Sequence, residues 1–211
     1  MKLQIIILLA YFSTQMSFAQ SFEGLIESRK ISPIDTVHFI FYIKEDKIRI
    51  DQIGYDKKIE EITLVNLSDF KSKSLNPIRM LLTDIESAPT KEFVKIQNVS
   101  VSKGKKIKTI AGYQCQEWVV VKKEQNIQIT YFLAKDNFFF FEKMLISLNR
   151  KDKLSTFYQQ LPETTNAFPF YAIEADLKGK PTNIFEVTGI TKKSLDHSLF
   201  HIPEGYKRFG K

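Results

Sequence analysis

Through most of this chain apolar side chains return at every second position, and that spacing commits it to β-strands before anything else is known. Val37, Phe39, Phe41 and Ile43 share one face of an early run, and Ile48 and Ile50 resume the pattern after the polar pair Glu45-Asp46. Residues 37–53 therefore read as a β-hairpin. Segment 22–31 supplies a strand before it, with further candidates at 62–67, 78–82 and 93–101. Residues 107–110 run into Ala111-Gly112, where glycine permits a tight turn with positive φ. The return strand then puts Tyr113, Cys115, Val119 and Val121 on one face, with Trp118 and Val120 opposite. Ile127, Ile129, Tyr131 and Leu133 line its partner. Two final strands, 168–177 and 182–191, flank the turn sequence Lys178-Gly179-Lys180-Pro181. The lysine-rich stretch 103–108 reads as a solvated hairpin tip, with a contact for anionic lipid headgroups as the alternative.

After Asp136 the period changes. Residues 138–148 read as a helix capped by Asp136 or Asn137, with Phe138, Phe141, Leu145 and Leu148 on one stripe. Phe139, Phe140 and Met144 widen that stripe. A second short helix at 154–161 carries Leu154, Phe157, Tyr158 and Leu161 and is stopped by Pro162. Consecutive antiparallel strands, then helices, then two more strands give a mainly β α+β fold, a curved sheet with helices packed on one face. Trp118 and Val119 point to opposite sides, so neither face is purely solvated, and curvature around a helical plug accounts for this. With no internal repeat or linker, residues 20–211 form a single domain.

The first 19 residues stand apart. A basic start at Lys2, an apolar run over 3–12 broken only by Gln4, and Ser17-Phe18-Ala19 make a secretory signal peptide removed near Ala19 or Gln20. The run is too short for a retained spanning helix, so the mature chain is expected to be exported rather than integral to a membrane. No cysteine lies near the cut, which excludes a lipid attached there; the single thiol, Cys115, reads as a small buried hydrophobe. The formal charge of +7 falls to +6 without Lys2, and export removes nucleic acid as a partner.

Catalytic chemistry is poorly represented. His38, His197 and His201 have no metal-ligand spacing around them, and neither a phosphate loop nor a nucleophile elbow is present. The expectation is a non-enzymatic protein without cofactor or metal. The feature open to function is the aromatic helix. Phe138, Phe141, Met144, Leu145, Leu148, Phe157 and Trp118 are candidates to line an apolar ligand site; the competing reading makes them ordinary core between helix and sheet.

Several blocks are familiar as a set: Phe22-Glu23-Gly24-Leu25-Ile26-Glu27, Tyr42-Ile43-Lys44 with Lys47-Ile48-Arg49-Ile50, Ala111-Gly112-Tyr113-Gln114-Cys115 with Trp118, and Phe200-His201-Ile202-Pro203-Glu204-Gly205-Tyr206. In these the chain resembles domain-of-unknown-function family 4412, small exported bacterial proteins, which in turn is similar to the periplasmic lipoprotein carriers LolA and LolB. The resemblance implies a half-open antiparallel β-barrel with helices over its concave side, a periplasmic or cell-envelope location, and a lipid or acylated lipoprotein as cargo. A non-catalytic envelope module with a filled barrel and a protein partner is the alternative. The intact mass of protein recovered from its own host should correspond to a start near Gln20; an uncut chain beginning at Met1 overturns the signal-peptide reading.

Overall fold

In the computed structural model, residues 21–88 and 92–209 are described; the signal-peptide segment lies outside them. The strands are β1 (Gly24–Ile31), β2 (Thr36–Lys44), β3 (Lys47–Ile53), β4 (Ile59–Asn66), β5 (Lys71–Asn76) and β6 (Leu81–Ile85), then β7 (Ser100–Ile110), β8 (Tyr113–Lys122) and β9 (Ile127–Lys135). Helices α1 (Phe140–Ser147) and α2 (Lys153–Tyr158) follow, then β10 (Ala167–Ala175), β11 (Pro181–Lys192) and the two-residue β12 (Lys207–Arg208). All twelve strands join one open curved sheet in the order β12-β6-β5-β4-β3-β2-β1-β11-β10-β9-β8-β7. Every pairing is antiparallel except that of β12 with β6.

One short helix measures the bend. The rings of Phe140 and Phe141 lie 5.7 and 4.7 Å from that of Phe168 on β10, while the Ser147 carbonyl accepts a 3.3 Å hydrogen bond from Ser72 Oγ on β5. β10 and β5 are six strand spacings apart, ~29 Å in a flat sheet. The eight residues of α1 span only ~12 Å. Contact with both strands needs a curved sheet, and the face that α1 touches is termed the inner face. The crossover that joins β6 near one edge to β7 at the other, described at 86–88 and 92–99, meets the same helices. Ala88 N donates to Ile146 O at 3.1 Å, and Gln160 accepts from Ile96 N at 2.9 Å and donates to Val94 O at 3.0 Å.

The inner core is aromatic. Phe168 is fully buried, and its ring meets those of Phe41, Phe138, Phe140, Phe141, Phe170 and Phe185 within 6.4 Å. Edge-to-face and tilted pairs of this kind add to the area they bury. β10 brings both Phe168 and Phe170 into this cluster, next to a bulge between Pro169 and Tyr171.

The outer face carries a second cluster, Ile62, Leu64, Leu75 and Leu82, beneath Ile59 and Tyr206. Its cover is the C-terminal tail, so curvature is only half the reason that both faces are apolar. The Glu23 carboxylate accepts from Lys44 Nζ and from Leu195 N, both at 2.8 Å, and the Lys44 bond holds it below the usual carboxylate range. Asp51, buried on the outer face, binds Arg49 at 2.7 Å, and the same guanidinium donates to Leu199 O at 3.3 Å. Gly24 (φ +145°) has no room for a side chain, since a Cβ there would meet Thr191 O at 2.1 Å.

Several expectations need correction. The first helix begins at Phe140 rather than 138 and ends at Ser147; Asn137 O is taken by Phe22 N, Asp136 pairs with Lys192, and no side chain caps the helix. The second covers Lys153–Tyr158 and is capped by Asp152, which accepts from Ser155 N and Oγ. Residues 78–82 are not one strand: Ile78 is 79% exposed in the turn between β5 and β6, and β5 itself, KSKSLN, looks polar in sequence because α1 and the tail supply its cover. Residues 93–98 form no strand, and the strand begins at Ser100. The lysine-rich stretch is no tip. Between Lys103 and Ile107 the β7 ladder slips against β8, and Gln116 Nε2 fills the gap by donating to Gly104 O at 2.8 Å. The tip is Ala111-Gly112, both at positive φ. β8 changes its inward parity near this slip, so Cys115 and Val120 are both fully buried, and Trp118 packs on the inner core instead of opposing it.

Phe168→Ala should cost about 3–5 kcal/mol of unfolding free energy in denaturant titration, the range for emptying a large aromatic site. Burial pushes the Cys115 thiol up to about 11. At pH 8 it should resist a thiol reagent in the native protein and react promptly once the chain is unfolded.

Candidate functional site

Between α1, the start of α2 and the inner sheet face lies a cavity of about 140 Å³. Its floor is Tyr131, Met144, Leu145 and Ala172, each at most 4% exposed, and its walls are Phe39, Phe41, Phe141, Leu154, Pro169 and Phe185. Lys30 and Arg150 stand at the mouth, half-buried and exposed respectively. The strands aim these side chains inward by simple alternation: Ile26, Ser28 and Lys30 share one face of β1, opposite Phe41, Phe39 and Val37 of β2.

Polar groups within the lining are mostly committed. Tyr131 Oη donates to Leu154 O at 2.8 Å, and burial holds its phenol well above its ordinary range, so it remains a neutral donor. Tyr158 behind it donates to Ala167 O at 3.1 Å and is raised by burial in the same way. Asp152 is occupied with the α2 cap. A second hollow of about 260 Å³, lined by Ile50, Gln52, Glu61, Thr63, Ile85 and Leu148, adjoins the first, and Phe39 and Arg150 line both.

Of the seven residues singled out in the sequence, Phe141, Met144 and Leu145 line the cavity. Leu148 lines the adjoining hollow. Phe157 faces a third groove, formed with Phe93, Val94 and Ile96 of the crossover. Phe138 is 1% exposed within the aromatic core between Phe22, Tyr113 and Phe170 and touches none of these spaces. Trp118 pairs across strands with Tyr131, under Lys103, one strand beyond the cavity wall. Sequence reading missed Lys30, Phe39, Phe41, Arg150 and Phe185. The strand phenylalanines carried a signal, because Phe39 and Phe41 were already assigned to one face; Lys30 and Arg150 carried none. Among the described residues no group of three His, Cys, Asp or Glu could hold a metal ion, and no helix is long and apolar enough to cross a membrane.

A comparison with curated proteins gave no match. Among solved structures, an uncharacterised conserved protein from Thermus thermophilus superposes with a TM-score of 0.52 at 8% identity, over 90% of each chain. A chain of the Pseudomonas aeruginosa MucA/MucB complex gives 0.50 at 11% identity, over 86% of this chain and only 55% of that one. A Vibrio parahaemolyticus domain described as outer membrane lipoprotein-sorting gives 0.33 at 10% identity, over 84% and 87%, too low a score to carry an argument. At such identities the likeness is one of fold alone. The sequence blocks have a firmer counterpart: one family profile matches residues 22–206, and the chain belongs to that family, DUF4412, a domain of unknown function.

Proposed function

We propose that this is a non-enzymatic binding or carrier-type protein of the cell envelope, in which α1, α2 and the crossover cover the concave side of the sheet and an acyl chain lies beneath them. The observation that carries this reading is the cavity itself, with aromatic and aliphatic walls, a phenol-bearing floor whose donors are satisfied, and an opening at one end. Each methylene buried there contributes ~0.8 kcal/mol.

The volume also sets the mechanism. About 140 Å³ is below the ~300 Å³ at which drug-sized sites begin and close to a cavity that admits one benzene ring. A longer chain enters only if Phe39 and Arg150 move from between the two hollows, which makes a continuous groove under α1. Export to the periplasm belongs to the same proposal and rests on the N-terminal signal. The MucA/MucB likeness supports a second reading, in which the cover docks a protein partner and the cavity stays empty.

Protein purified from its own host should carry acyl lipid detectable by native mass spectrometry and solvent extraction. Met144→Trp, which fills the cavity floor, should abolish that lipid while leaving the circular dichroism spectrum unchanged. Protein free of lipid, crosslinking in envelope fractions to one protein, supports the second reading instead.

A further inference from the structure

The cavity mouth says what kind of chain it takes. We infer that the ligand is a single-chain anionic amphiphile whose carboxylate or phosphate head is held by Lys30 and Arg150; the inference rests on the acyl-chain reading above. Lys30 lies on the inner face of β1, where its neighbours across the ladders are the apolar Val37 and Phe185. Among the described residues its ammonium has neither an ion pair nor a hydrogen bond, and the same is true of the Arg150 guanidinium. Arg29, Lys44, Arg49, Lys73, Lys135 and Lys153 all pair with carboxylates at 2.7–3.0 Å.

Asp152, the one acid among the described residues that line the cavity, has both oxygens bound to Ser155 and forms no ion pair with either cation. Beside Lys30 on the same strand face, the Ser28 hydroxyl is 2% exposed and without any hydrogen-bond partner among the described residues. A buried hydroxyl left unpaired is costly, and Ser28 lies on the strand face leading to Lys30 without lining the cavity itself. Apolar surroundings strengthen hydrogen bonds, and charge-assisted hydrogen bonds are roughly twice as strong as neutral ones. At about 140 Å³ the cavity takes only the first few methylenes of one chain until Phe39 and Arg150 move, and this excludes a two-chain phospholipid from full entry.

Isothermal titration of the delipidated mature chain with dodecanoate, dodecyl phosphate, dodecanol and dodecyltrimethylammonium, each below its micelle concentration, separates head from tail. Dodecanoate and dodecyl phosphate should bind at least about tenfold more tightly than dodecanol, a factor worth ~1.4 kcal/mol, and the better of the two identifies the head. Lys30→Met and Arg150→Met keep the aliphatic stems and should each weaken the anionic probes about tenfold without changing dodecanol affinity or the melting temperature. Equal binding of all four probes, or an unchanged anion affinity in both variants, overturns the head-group assignment and leaves the acyl-chain reading standing. Binding of none of the four overturns both.

Discussion

The packing of Phe168 against α1 is the contact on which the remaining architecture depends. A sheet of twelve strands, antiparallel in all but its last pairing, has no intrinsic reason to curl so far; twist alone makes a propeller. What holds the curl is a knot of rings contributed by β2, β10, β11, α1 and the segment before it, centred on one side chain with no exposed surface. The helix is short and mostly buried, and it reaches from this knot to Ser72 on the other limb. Beside the helix a hollow remains, lined by side chains of β1, β2, β9, β10 and β11 as well as of both helices.

The outer face solves a different problem. A bent sheet exposes its convex side, and here four aliphatic residues of β4, β5 and β6 lie there. The tail lies across them, anchored by Glu23 at one end, by the Arg49–Asp51 pair in the middle and by β12 at the other. That arrangement gives the family sequence blocks a physical meaning. Phe22-Glu23-Gly24 supplies a ring, an anchor and a close backbone approach; Lys44 and Arg49 complete the anchors; the final Phe-His-Ile-Pro-Glu-Gly-Tyr block places Phe200 and Tyr206 over apolar surface.

Much of this was legible in sequence, and the exceptions share a cause. Alternation revealed β1 to β4 and β8 to β11 because each buries one face against a nearby apolar partner. It failed for β5, whose cover comes from α1 and from the tail, both distant in sequence, and for β7, where slippage in the ladder scrambles the period. The helix was recognised but began too early, because Phe138 continues the apolar run while its backbone neighbour Asn137 is tied to Phe22. At the site, the period identified the helix side of the cavity. It could not identify Lys30 or Arg150, since a lysine at an inward strand position looks in sequence like any solvated lysine, and only the fold places it at the cavity.

The strand order has a consequence for how the molecule assembles. β1, the first strand, sits at the centre of the sheet between β2 and β11, and its partners in β11 follow it by more than 150 residues. Contacts of such long sequence separation make folding slow. A ribosome releasing this chain would therefore leave the amino-terminal half with an unpaired edge until almost the last residues appear. For that interval the nascent polypeptide depends on a chaperone, or on remaining unfolded, to avoid aggregation.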